Sequence, residues 1–315
     1  MSTGASQQVQ DRLFDMIIAA LGPVGVYLED EAVIGIVANP NGWVWVEQAG
    51  DKARDTGTRM SSAAIEQVIR LVATSMDREC HSGNPSLSAL LPGVRARFQG
   101  FVPRAVPAPS FIIRRRDPRV FTLESYVQGN IMTLAQATRL QEAVQARENI
   151  IVAGGTMSGK TKLADALLTL MAQSSDRIIT IEDTPELLCE APNHLALYTV
   201  EGGFTMQQAV QDTMRSDPRR IVVGEIRGVE AADVLDSWST GHPGGLCTVH
   251  ANSARETLTR MESLLRRAAI PTDVAREMLG AVQPCIAFLA RTAVGRCLRE
   301  VVKVEGYQGG NYELA

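Results

Sequence analysis

Cysteine is scarce and poorly placed for cross-linking: the 315 residues hold five, at positions 80, 189, 247, 285 and 297, an odd number with no C-x-x-C pair. A disulfide framework and a structural zinc site are therefore not expected, whereas a reducing compartment is. Excess charge of one sign is lacking too. The formal net charge of −4 gives no global attraction to nucleic acid or anionic lipid. Aromatic residues make up only 5% of the chain and do not interleave with a basic stripe, so no stable nucleic-acid binding is expected. Long hydrophobic runs are missing. The longest, Met16 to Leu28, is broken by Gly22-Pro23 and Gly25 and falls short of the ~20 residues a membrane span needs. The first ten residues are polar, with no basic segment leading into an apolar one, so no secretion signal is expected. These absences describe a soluble or membrane-peripheral, cytoplasmic protein, long enough for two domains.

What is present divides in two. Residues 6–20 carry Val9, Leu13, Ile17 and Ala20 at helical spacing up to Gly22-Pro23, which predicts an amphipathic first helix. Glu31 to Glu47 reads as two strands around Asn39-Pro40-Asn41-Gly42, with Trp43 and Trp45 on one face and Val44 and Val46 on the other. A helix over 61–75 and strands over 94–102 and 111–114 complete a small α+β domain, residues 1–113. The basic stretch 114–124 reads as a linker, with Arg115 and Arg119 solvated. From there to residue 315 short, nearly all-apolar strands alternate with helices, the pattern of a parallel sheet covered on both faces. Strands are expected at 149–153, 177–182, 220–224 and 246–250, with a closing hairpin from 286 to 304 at the sheet edge.

The chemistry centres on Gly154-Gly155-Thr156-Met157-Ser158-Gly159-Lys160-Thr161, which follows the apolar run Ile150 to Ala153. Strand, Gly-rich turn and helix start suit a phosphate, because backbone N–H groups and the positive end of the helix dipole converge on one anion. Lys160 adds a point charge for the β and γ phosphates, and the Thr161 hydroxyl can join the shell of a Mg²⁺ ion. A chance match is expected on the order of once in a hundred such chains, so nucleoside triphosphate binding is the expectation.

Three clusters fall at the ends of later strands: Glu182-Asp183, then Glu225-Ile226-Arg227, then Thr240 to Asn252 with His242 and His250. Singly, each is an ordinary cap or satisfied polar group; together, after a phosphate loop in one sheet, they form one nucleotide site. Phosphoryl transfer needs a cation cradle, an acid to hold the metal, an oriented water and an arginine. Glu225 is assigned to Mg²⁺ and Glu182 to the attacking water, with the reverse left open by spacing. His250 is the better placed γ-phosphate sensor.

The order Gly-Gly-Thr-x-Ser-Gly-Lys-Thr, Ile-Thr-Ile-Glu-Asp, Val-Val-Gly-Glu-Ile-Arg, Thr-Gly-His-Pro-Gly-Gly-x-x-Thr-x-His-Ala-Asn resembles the bacterial type II/IV secretion ATPases, above all their conjugal-transfer, TrbB-like members. Residues 91–97 and 112–115 resemble the family's N-terminal arginine segments. The resemblance implies an α/β fold: a RecA-like P-loop NTPase domain with a smaller N-terminal α+β, PAS-like domain. It implies ATP and Mg²⁺ as cofactors, with residues 154–161 and Lys162 as the binding loop. It further implies a homohexameric ring acting with inner-membrane components of a secretion or conjugation machine, peripheral to the membrane. Arg95, Arg97, Arg114 and Arg116 are the candidates for reaching the phosphates. Met157 stands where the family usually has Gly, and Lys162 where it has a second Thr. The family's zinc segment and pilus-retraction segment are absent. The rival readings are a type IV pilus motor, a RecA-like nucleic-acid translocase and a non-hydrolysing scaffold.

Overall fold

The computed structural model describes residues 3–315 apart from 77, 92, 93, 95, 116–118, 120, 201, 293 and 294, and gives the backbone alone for 3–10. Candidates Arg95 and Arg116 lie outside the described residues. The chain separates into two units, Met1–Arg119 and Val120–Ala315.

The first unit runs α1 (Thr3–Leu21), α2 (Gly25–Glu29), β1 (Val33–Ala38), β2 (Trp43–Gln48), β3 (Arg54–Arg59), α3 (Ser62–Thr74), β4 (Ser86–Leu90), β5 (Ala96–Phe101) and β6 (Ser110–Arg115). Its strands form one antiparallel sheet in the order β3-β2-β1-β6-β5-β4. Alternation sets which face is covered: Val44 and Val46 enter the core with Ile65, Val68 and Ile69 of α3, while Trp43 and Trp45 stay exposed. Ser61 caps α3 by accepting from the Ala64 N–H.

Arg115 differs from the solvated linker residue expected. It closes β6 and donates to the carbonyls of Leu28 and Asp30 at the end of α2, where a helix terminus leaves carbonyls unpaired. Burial pulls its pKa down, against the pull of Glu31 and Asp30.

The second unit runs α4 (Leu123–Gln128), α5 (Leu134–Gln145), β7 (Ile150–Gly154), α6 (Lys160–Met171), β8 (Ile178–Glu182), β9 (His194–Tyr198), α7 (Met206–Thr213), β10 (Arg220–Val223), α8 (Glu230–Ser239), β11 (Leu246–Val249), α9 (Ala254–Arg267), α10 (Thr272–Val282), β12 (Cys285–Thr292), β13 (Gly295–Gln308) and β14 (Asn311–Leu314). The sheet order is β14-β13-β12-β7-β11-β10-β8-β9. Strands β12 through β9 in that order run parallel, and β13 and β14 add an antiparallel margin. Every residue of β7, β8, β10 and β11 is buried, the reason their sequences are mostly apolar and do not alternate. Alternation survives in which core each side chain enters. Ile151 and Ala153 pack with α7, α8, α9 and α10, whereas Ile150 and Val152 pack with α4, α5 and α6.

The α/β fold class expected from the sequence is the one observed. The hairpin β12–β13 is not at the edge, however: β12 lies beside β7, and β14 is outermost on that side. Among the described residues no helix is long and apolar enough to cross a membrane.

Candidate nucleotide site

Parallel strands place their carboxyl ends on one side, and the sheet order decides which ends are neighbours. Reading across β7, β11, β10 and β8, those ends deliver Lys160, His250, Glu225 and Glu182.

The loop leaves β7 at Gly154. A Cβ there would lie 2.5 Å from both the Leu289 carbonyl oxygen and Ser158 Oγ, so only glycine fits. Gly159, at φ +99°, turns the chain into α6, whose first N–H groups have no intrahelical partner. Met157 holds φ +60° and is exposed, a left-handed conformation that costs a non-glycine residue about 1–2 kcal/mol. Met157→Gly is accordingly expected to stabilise this domain by up to about 1 kcal/mol, seen as a thermal midpoint higher by about 2–4 °C. A lower midpoint would contradict strain at this position.

Lys160 is buried to 8% exposure, and its Nζ donates to the carbonyls of Gly154 and Gly155, both at 3.0 Å. Burial lowers its pKa, Glu225 opposes that and Arg227 adds to it. His250 Nδ1 lies 3.3 Å from Lys160 Nζ and its Nε2 lies 2.7 Å from Glu225 Oε1, a close approach rather than an aligned hydrogen bond. Burial first, then the Lys160 charge, lower the His250 pKa against the pull of Glu225. Because an ammonium only donates, the tautomer assigned here has Nδ1 accepting and the proton on Nε2. Glu225 also accepts from Arg227, whose Nη1 is 3.6 Å from Asp183.

Glu182 is 4% exposed, and its Oε1 accepts from the backbone N–H groups of Glu186 and Leu187, each at 2.9 Å. On α6, Asp165 Oδ1 accepts from the Leu188 N–H at 3.0 Å. Together these carboxylates hold the segment that sets Glu186 Oε2 3.5 Å from the Thr161 hydroxyl. Glu186 is a site residue the sequence reading passed over, although it follows Glu182-Asp183 within one short loop. Arg296 is another. The Arg296 stem runs beside Gly159, with Cδ 3.2 Å from where a Cβ would be, brought there by a hairpin distant in sequence.

The Lys162 ammonium lies 5.8 Å from the Phe121 ring centroid. His242 precedes β11 and so lies at the amino end of the strands, away from His250. Arg97 and Arg114 belong to the first unit, where they are exposed and directly opposed across β5 and β6.

Residues 87–305 match the type II/IV secretion system protein family. A protein of Sinorhizobium fredii (strain NBRC 101917 / NGR234) described as "Probable conjugal transfer protein TrbB" is 40% identical over 306 residues, covering 96% of this chain and 93% of its own length. The conjugal transfer protein TrbB of Rhizobium radiobacter is 38% identical over 309 residues, covering 98% and 92%. Among solved structures, the pilus retraction motor PilT with bound ADP superposes at a TM-score of 0.64 and 19% identity, over 94% of this chain and 82% of that one, a likeness of fold. With most of its length inside the family match and two near-full-length relatives, the chain belongs to the type II/IV secretion system protein family.

Proposed function

We propose that this P-loop ATPase couples Mg-ATP hydrolysis to the assembly or operation of a conjugation-type secretion channel or pilus, working as a homohexamer at the cytoplasmic face of the inner membrane. The conjugal-transfer relatives support the setting. The observation that carries the chemistry is the row Lys160, His250 and Glu225, with contacts of 3.3 and 2.7 Å, at the mouth of the phosphate loop.

The donor set suits a hard cation: the Thr161 hydroxyl and the carboxylates of Glu186 and Glu225 are oxygen ligands. Among the described residues no cluster of three or more His, Cys, Asp or Glu side chains could hold a metal by itself, so the cation would take most of its ligands from phosphates and water. When bound, Mg²⁺ supplies neutralisation of the charge that develops on the transferring phosphoryl group. Ser158 Oγ, buried and without a protein partner among the described residues, fits the same polar cradle.

Within that cradle Lys160 binds the β and γ phosphates. Thr161, Glu186 and Glu225 hold the cation and its water shell, and Glu225, with His250 beside it, also orients the attacking water. Glu182 is engaged with backbone N–H groups, so its part is to hold the segment that carries Glu186. Arg97 and Arg114 are the candidates for the arginine that neutralises charge on the transferring phosphoryl group. Such an arginine is worth ~10³ to 10⁵ in rate.

The test is phosphate release from ATP by the purified chain with and without Mg²⁺, beside negative-stain images with a non-hydrolysable ATP analogue. Mg²⁺-dependent release and six-fold rings are expected. A chain that releases no phosphate is not a motor, and one that stays monomeric with nucleotide does not work as a ring.

A further inference from the structure

Beside the first turn of α6 stands an aromatic ring that the reaction leaves unused. Phe121 immediately precedes Thr122, the N-cap of α4, whose hydroxyl accepts from the Ser125 N–H at 3.2 Å. Its ring meets Tyr126 edge-on, with centroids 5.9 Å apart and planes at 66°. Counting from the cap, Phe121 and Tyr126 stand at the two positions of a hydrophobic staple, which fixes how the chain enters a helix. Tyr126 is buried at 5% exposure, whereas Phe121 is only half-buried. A second contact sets the ring's place relative to the loop: the Lys162 ammonium lies 5.8 Å from its centroid, and Lys162 is in the first turn of α6, two residues past Lys160.

That placement has a chemical direction. In a phosphate loop the lysine reaches toward the β and γ phosphates, while the backbone N–H groups cradle the α and β phosphates. Here the γ end is marked by Lys160, His250 and Glu225. The α-phosphate, with ribose and base attached, then leaves on the Lys162 side, where Phe121 stands. Arg296, passing beside Gly159, borders the same end, and a guanidinium is a planar group on which bases also stack.

We propose that Phe121 is the base-stacking residue of this site, so that the loop selects a nucleotide over bare polyphosphate. The assignment rests on the nucleotide reading above. Stacking on an aromatic ring tolerates any base, so it contributes affinity without choosing adenine over guanine.

Because Phe121 also staples α4, the variant must spare that contact. Phe121→Leu keeps apolar bulk against Tyr126 and removes the π face, and Phe121→Tyr keeps both. Binding of ADP and of inorganic tripolyphosphate is measured on the full chain. The wild type is expected to bind ADP more tightly than tripolyphosphate. Phe121→Leu weakens ADP about ten-fold and leaves tripolyphosphate within about two-fold, while Phe121→Tyr binds ADP as the wild type does. Equal weakening of both ligands by Phe121→Leu would mean that the ring acts through the loop, and no weakening of either would mean it does not touch the base; each overturns the assignment. A wild-type chain that binds tripolyphosphate as tightly as ADP overturns it while leaving the phosphate site standing, whereas one that binds neither removes the nucleotide reading and the stacking role together.

Discussion

Lys160→Ala is expected to lower ATP turnover by about 10²–10³-fold, the usual cost of deleting one preorganised group that meets charge developing in the transition state. Lys160 is held for that task. Its ammonium is tied to two carbonyls at 3.0 Å and lies 3.3 Å from His250 Nδ1. An ammonium so buried costs the protein solvation, which shows as a pKa pulled down by burial. Bound phosphate oxygens return that cost, and most where negative charge is greatest. Nucleotide affinity should fall less than turnover, because the N–H groups of the loop and the first turn of α6 survive the substitution. Lys160→Arg is not a rescue: a planar fork does not fit a cradle shaped for a compact charge. Phosphate release at saturating ATP decides the matter, and a Lys160→Ala protein within two-fold of wild type would remove this lysine from the chemistry.

Much of the second unit was legible because burial on both faces makes strands β7, β8, β10 and β11 almost wholly apolar, a pattern that stands out between helices. Strands without that constraint escaped. β3 is Arg-Asp-Thr-Gly-Thr-Arg at an open sheet edge, and β9 lies at the other sheet's margin with no fully buried residue. β12 was recognised as a strand but not as the neighbour of β7, since strand order is a long-range property with no local signal.

The site divides in the same way. Glu225 and His250 were readable because each stands within two residues of the end of a strand that could be seen, Lys160 because the Gly-rich loop after β7 leads straight to it, and parallel order brings these strand ends together. Glu182 was readable as an acid at a strand end but not as a clamp on backbone N–H groups, which depends on how the next five residues turn. Glu186 and Arg296 arrive by loop and hairpin geometry. Arg115 read as linker because a run of three arginines looks solvated, although a helix end was waiting for it.

At the opposite end of the sheet, Asp176→Ala is expected to cost about 3–5 kcal/mol, the range for breaking a buried ion pair by removing one partner. Asp176 accepts from Arg147 Nη1 at 2.8 and 3.0 Å and from Arg220 Nε at 2.8 Å. Arg220, only 4% exposed, spends its other nitrogens on the carbonyls of Gly244 and Val144, and Arg147 adds the carbonyl of Arg219. The two arginines and one carboxylate therefore tie together the segments that lead into β7, β8, β10 and β11. Deleting the carboxylate leaves a buried guanidinium without its counter-charge, so the cost is the orphaned cation more than the lost bonds. Burial alone would raise the Asp176 pKa, but the hydrogen bonds from Arg220 and Arg147 outweigh it and hold the carboxyl below its ordinary value. A depressed pKa fixes the sign of the pH dependence. The contribution is fully present above the unfolded-state value of about 3.9 and disappears as pH falls through the folded-state value. Thermal unfolding at pH 7 should show the variant melting roughly 6–20 °C below wild type, with the gap narrowing below pH 4. A gap that persists unchanged into acid would mean that Asp176 stabilises by packing and not by charge, and a variant melting with the wild type at pH 7 would remove the triad from the fold's stability altogether.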